Sequence, residues 1–251
     1  FISMIQNFEQ LISLWLIIGI ITFFTLLKIP APYGKFAKNN WGPMIPSRLG
    51  WFMMEIISPI ALIYFFMINT QKFSEPTIVF LSIWTLHYIN RSVIYPLRQN
   101  NPAKMPLIIA VLAFLFNIIN GYINGTFLGL SENYNSDYLL QWNFIFGLIL
   151  FIVGAFINIK SDNILLKLRT KTGEYKIPNG FMYRYVSFPN YLGEIIEWTA
   201  FAIMTWSLAG FSFMIWTMAN LVPRAIAGHK WYNKQFQDYP KNRKAIFPFI
   251  I

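Results

Sequence analysis

Tyr191-Leu192-Gly193-Glu194-Ile195-Ile196-Glu197-Trp198 leads into a run that stays uncharged through Pro223, ending at Arg224. A carboxylate in hydrocarbon costs about 2.5 to 3.5 kcal/mol at a helix centre, so two acids at the mouth of such a run mark a site. The run from Tyr191 to Pro223 holds 33 residues. As one helix that is about 50 Å, far longer than a hydrocarbon core of about 30 Å. It therefore folds back on itself, most simply at Ala209-Gly210.

Of the 251 residues, 56% are hydrophobic and 12% charged. Further apolar runs span Leu11 to Leu27, Ile56 to Thr70, Pro76 to Asn90, Met105 to Leu130 and Tyr138 to Ile159. The second and third reach spanning length only with Trp51 to Glu55 and Arg91 to Leu97 included, which puts charges inside two helices. The expected fold is all-α: a polytopic membrane protein built as a seven-helix transmembrane bundle. Its spans are expected at about 11–27, 51–70, 76–97, 105–130, 138–159, 191–208 and 211–227, forming one domain over 1–251.

Cytoplasmic loops retain Lys and Arg, which orients the bundle. With the N-terminus outside and the C-terminus cytoplasmic, every basic residue except Lys72 falls on the inner side. Six spans would split the last two basic clusters between opposite faces. The polar segments at about 160–190 and 228–251 then form a cytosolic cap, suited to a polyanionic ligand. The first contains Gly173, Pro178 and Asn179-Gly180, which favour turns.

The formal charge of +10 follows from this topology, so nucleic-acid binding is not expected. With no Cys and only His87 and His229, disulfides, thiol nucleophiles and a structural zinc site are excluded. Redox chemistry then requires a dissociable organic cofactor. No G-x-G-x-x-G or P-loop sequence occurs, so side chains must hold any nucleotide. The first run lacks a basic n-region and a small-residue cleavage site and is expected to be retained as a span.

Three constellations bear on chemistry. Glu55 lies within the second span, while Tyr88, Arg91 and Tyr95 share one face of the third at a similar depth. Either Glu55 pairs with Arg91 structurally, or it meets Tyr88 to form two hydrogen-bond donors that polarise a carbonyl oxygen. Asn190, Glu194 and Glu197 share a second face, either as a site or as neutralising partners for Arg184, Arg224 or Lys230. Asn117, Asn120 and Asn124, beside Gly121, Gly125 and Gly129, either pack helices or line a channel. For a nucleotide, Asn158, Asp162, Arg169 and Tyr175 around the fifth span, and Arg224, His229 and Tyr232 after the seventh, offer suitable groups.

Asn158-Ile159-Lys160-Ser161-Asp162, Ile177-Pro178-Asn179-Gly180, Pro189-Asn190-Tyr191-Leu192-Gly193-Glu194 and Asp238-Tyr239-Pro240-Lys241-Asn242-Arg243-Lys244-Ala245 resemble the C-terminal half of steroid 5α-reductases. Trp51-Phe52-Met53-Met54-Glu55 and Leu86-His87-Tyr88-Ile89-Asn90-Arg91 resemble that family's active-site segments. The resemblance implies NADPH as cofactor and a small apolar 3-oxo-Δ4-steroid taken from the bilayer. It implies Glu55 and Tyr88 as the catalytic pair. Its cofactor contacts fall at Arg91, Tyr95, Asn158, Asp162, Arg169, Tyr175, Asn190, Glu194, Arg224 and Tyr232, with Trp51 and Trp198 at the substrate. A monomer without metal is expected, in a bacterial inner membrane or, for a eukaryotic chain, the endoplasmic reticulum. Met54, Gly228 and Gln99-Asn100-Asn101 depart from the family pattern, which loosens steroid specificity more than reductase chemistry. Reduction of another lipid alkene, methylation with S-adenosylmethionine, and a channel or carrier are the competing readings.

Overall fold

The structure is a computed structural model and describes residues 2–37, 40–70, 72–99, 103–168 and 174–251. Its principal helices are α1 (Ile2–Lys28), α2 (Ser47–Asn69), α3 (Glu75–Ile89), α4 (Leu107–Leu130), α5 (Trp142–Leu168), α6 (Pro189–Thr205) and α7 (Leu208–Gln235). A two-stranded antiparallel ribbon interrupts the helical pattern, pairing β1 (Met44–Pro46) with β2 (Lys104–Pro106). Three-residue strands bounded by proline leave no periodic signal in the sequence.

Among the described residues, four helices are long and apolar enough to cross a membrane: Gln6–Lys28 within α1, and all of α2, α4 and α5. The chain is a multi-pass membrane protein. Outward-facing aliphatic and aromatic side chains such as Leu14, Ile21 and Phe24 on α1 fit a lipid-facing surface. The described residues divide into two compact units: one formed by residues 2–30, Phe146–Leu168 and Tyr175–Ile251, the other chiefly by Ala31–Ile145.

In the second unit α2 and α4 pack along their length, because the glycines of α4 remove the side chains that would separate them. A Cβ on Gly121 would lie 2.5 Å from that of Ala61, and one on Gly129 only 2.8 Å from the Phe66 carbonyl oxygen. The packing reading of these glycines holds. The helix that begins as α3 continues past Ile89 through a π turn (Asn90–Ile94) and a last helical turn (Tyr95–Arg98). Tyr95 donates its N–H to the carbonyl of Asn90, five residues back. Arg91 therefore stands on a widened turn, where a uniform helical face was expected. Pro96 follows and offers no N–H to the carbonyl of Ser92.

In the first unit α1 packs on α7 through Trp15 and Trp216, whose rings are 4.5 Å apart. The Trp216 indole donates to the Trp15 carbonyl at 3.0 Å. The long apolar run folds back earlier than Ala209-Gly210. Trp206 takes left-handed dihedrals (φ 46), and Ser207 caps α7 by accepting the Gly210 N–H at 2.9 Å. Gly210 belongs to the first turn of α7, where its missing side chain admits Thr205. A Ser N-cap is the stronger helix-start signal, and it outweighs the small Ala-Gly pair.

Candidate active site

Within the second unit, three contacts run antiparallel between α2 and the helix that begins as α3. The Trp84 indole donates to Ser58 Oγ at 3.1 Å. One turn on, the Tyr88 hydroxyl donates to Asn117 Oδ1 at 3.3 Å, and Asn117 Nδ2 donates to the Met54 carbonyl at 2.6 Å. At the π turn, the Arg91 guanidinium lies 5.0 Å from the Trp51 ring centre and 5.4 Å from that of Tyr95. This register puts Tyr88 level with Met54 and Glu55. Pro59 sharpens the locality, since it supplies no N–H to the Glu55 carbonyl one turn earlier.

Tyr88 is buried, its ring stacked on Trp84 at 5.7 Å, and Ser92 Oγ donates to its carbonyl at 2.6 Å. Glu55 and Trp51 are half-buried, one turn apart on α2. Arg91 and Tyr95 are both buried, and Tyr95 meets Trp51 edge-on at 6.5 Å. A phenol, a carboxyl group and a guanidinium thus belong to one small region of apolar helices. Sequence reasoning left Asn117 undecided between packing and a channel; the structure ties it to the Tyr88 hydroxyl. Asn120 and Asn124 instead donate to carbonyls of their own helix, those of Phe116 and Asn120.

In the first unit a second polar group forms where α5 crosses α6. A Cβ on Gly154 would sit 2.8 Å from the Gly193 carbonyl oxygen, and one on Gly193 2.7 Å from that of Gly154. Backbone-to-backbone approach brings Asn158 and Asp162 of α5 to Asn190 at the start of α6. Asn158 Nδ2 donates to the Asn190 carbonyl at 2.9 Å, and Asn190 Nδ2 to Asp162 Oδ1 at 3.0 Å. All three side chains are buried, and Asn190 Oδ1 has no hydrogen-bond partner. An acceptor left unsatisfied in a buried polar set suits a ligand with N–H or O–H donors, such as a carboxamide or ribose. The residues present therefore fit a nicotinamide dinucleotide.

Arg224 is buried and donates through Nε to the Tyr191 hydroxyl at 3.1 Å. Glu194 is half-buried on α6, and Glu197 is buried at the Gly154 crossing. Tyr232 lies inside an aromatic stack, its ring 5.2 Å from Tyr239 and 6.0 Å from Phe188. Tyr175 is exposed and meets Trp231 edge-on at 5.1 Å. Trp198 is fully buried among Phe151, Phe201 and Phe213. Arg169 lies outside the described residues.

The two polar segments of this unit are stitched together. Arg243, buried, donates to the Pro178 carbonyl at 2.9 Å and to Asn179 Oδ1 at 2.6 Å. Val186 bridges Lys244 in parallel, and Gly180 turns the chain with φ 81. His229 Nδ1 meets Ser187 Oγ at 2.6 Å, and Nε2 meets Asn233 Nδ2 at 3.0 Å. If that amide nitrogen donates, Nδ1 carries the imidazole proton. Burial, then the nearby Lys244 and Arg243, push the His229 pKa down.

The sequence profile of the 3-oxo-5-alpha-steroid 4-dehydrogenase family matches residues 103–251. The chain belongs to this family. Steroid 5-alpha-reductase DET2 of Gossypium hirsutum is 42% identical over 243 residues, 93% of each chain. The 3-oxo-5-alpha-steroid 4-dehydrogenase 1 of Rattus norvegicus is 36% identical over 247 residues, covering 97% of this chain and 95% of the rat protein. The rat 3-oxo-5-alpha-steroid 4-dehydrogenase 2 is 38% identical over 235 residues, 92% of each. The family is one of oxidoreductases acting on a carbon–carbon bond. Both polar groups described above thus belong to the fold of a 3-oxo-5-alpha-steroid 4-dehydrogenase, one inside the profile match and one reaching upstream of it to Trp51.

Proposed function

We propose that the chain uses NADPH to reduce the Δ4 double bond of 3-oxo-Δ4-steroids to the 5α-3-oxosteroid. It would do so as a seven-span protein with both polar segments on the cytosolic side. Family membership supports the reaction class, and the hydrogen-bonded path from the Tyr88 hydroxyl through Asn117 to Met54 is the observation that supports the site. Tyr88 and a protonated Glu55 donate to the C3 oxygen of the enone. As charge develops on that oxygen, both bonds strengthen, which lowers the barrier to enolate formation. Bound NADPH supplies the hydride received at C5. The enolate then regains its carbonyl as C4 takes up a proton.

Asn158, Asp162 and Asn190 orient the nicotinamide end, Arg224 and Arg91 offer guanidinium groups for phosphate, and Glu194, Tyr95, Tyr175, Tyr232 and Arg169 complete the cofactor contacts. Trp51 and Trp198 keep the substrate roles that the family resemblance implies for them. The substrate enters from lipid, because a fused apolar ring system partitions there. The host membrane is a bacterial inner membrane or the endoplasmic reticulum, with the N-terminus on the far side, and the protein acts as a monomer. Purified protein given NADPH and progesterone should form the 5α-reduced product with matching NADPH consumption. Oxidation of NADPH with a polyprenyl or enoyl-thioester substrate alone would move the proposal to another lipid alkene.

A further inference from the structure

Resting on the assignment of Tyr88 above, we propose that Asn117 is the positioning residue for the catalytic phenol, a role separate from helix packing. The amide has its orientation fixed by chemistry. The Met54 carbonyl can only accept, so Nδ2 must face it, which leaves Oδ1 for the Tyr88 hydroxyl and obliges that hydroxyl to donate. The two bonds differ in length in a useful direction. At 2.6 Å the amide is held firmly to α2, and at 3.3 Å it holds the phenol loosely.

The phenolic proton thus has a defined resting acceptor that it leaves at little cost when a carbonyl oxygen arrives. The support behind Asn117 is closely packed. Gly121, one helical turn along α4, allows that helix to lie against the backbone of Ala61 and Leu62. On the other side, Trp84 holds the Tyr88 ring and is itself fixed to Ser58. The phenol is located from both flanks, and its hydroxyl from Asn117. Asn120 and Asn124 direct their amide nitrogens to carbonyls of α4 itself, whereas Asn117 directs its amide nitrogen to α2.

The test is a double-mutant cycle on the full-length protein in detergent or proteoliposomes. Asn117→Leu keeps the volume and removes the amide; Asn117→Ala removes both. Each should lower kcat by about 10- to 100-fold, the penalty for a displaced catalytic group, while KM for NADPH stays unchanged. Tyr88→Phe should lower kcat by about 10²- to 10⁴-fold. The decisive variant is Tyr88→Phe with Asn117→Leu, which should be no slower than Tyr88→Phe alone, because without the hydroxyl the amide has nothing to position. Multiplying losses, or wild-type turnover in Asn117→Leu beside an impaired Tyr88→Phe, would overturn the role of Asn117. Full activity in Tyr88→Phe would instead overturn the assignment of Tyr88 itself. Monodisperse elution and an unchanged thermal midpoint for Asn117→Leu identify folded protein, and if Asn117→Ala fails to fold, the cycle still stands on Asn117→Leu.

Discussion

Burial, helped by the nearby Lys244 and Arg243, makes His229 resist protonation, and both its ring nitrogens face partners. Its folded pKa lies below the ordinary value of about 6.5, so the unfolded chain binds the proton more readily in the window beneath that value. The stability it contributes is therefore complete above about pH 6.5 and is lost as pH falls through the folded pKa. Thermal midpoints of wild type and His229→Gln should differ most near neutrality and converge on acidification; a constant gap would contradict this. At this scale the sequence was a fair guide to residue type. Asn158 and Asp162 were legible as polar groups at the inner end of the fifth span, whereas Asn190 read as part of a face with Glu194 and Glu197, and only the α5–α6 crossing joins the three. Arg243 was not legible, because a buried arginine inside Lys241 to Lys244 looks like one more cytoplasmic charge until its acceptors on Pro178 and Asn179 are seen. Asn117 was ambiguous for a similar reason: its partners lie on two other helices.

Helix elements were legible wherever hydropathy alone decides, as in α1, α4 and α5. Three features escaped because each depends on close backbone geometry. The widened turn at Arg91 has no periodic signature, the reversal at Trp206 depends on a left-handed residue followed by a serine cap, and the glycines of the α5–α6 crossing are spaced too widely to form a motif. That crossing places Asn158 beside Asn190, so its disruption should reach the cofactor. Gly193→Ala inserts a Cβ against the backbone N of Asn158 and the Gly154 carbonyl. Overpacking of this kind costs about 1–3 kcal/mol. A lowered thermal midpoint together with weakened NADPH binding is expected; unchanged binding would separate the crossing from cofactor binding.

For the whole molecule, composition and the asymmetry of basic residues carried the membrane assignment, and the motifs of the second half carried the family. The absence of cysteine makes the proposed topology directly testable. A membrane-impermeant maleimide should label Lys72→Cys in intact cells and Lys241→Cys only after permeabilisation, and both side chains are exposed; the reverse pattern would invert the bundle. The central chemical claim has a more direct test still. Glu55→Gln keeps the shape of the side chain but removes the carboxyl group, so steroid reduction should fall by about 10²- to 10⁴-fold, while NADPH affinity and the thermal midpoint are retained. Wild-type turnover in that variant would show that no carboxyl group at position 55 polarises the enone.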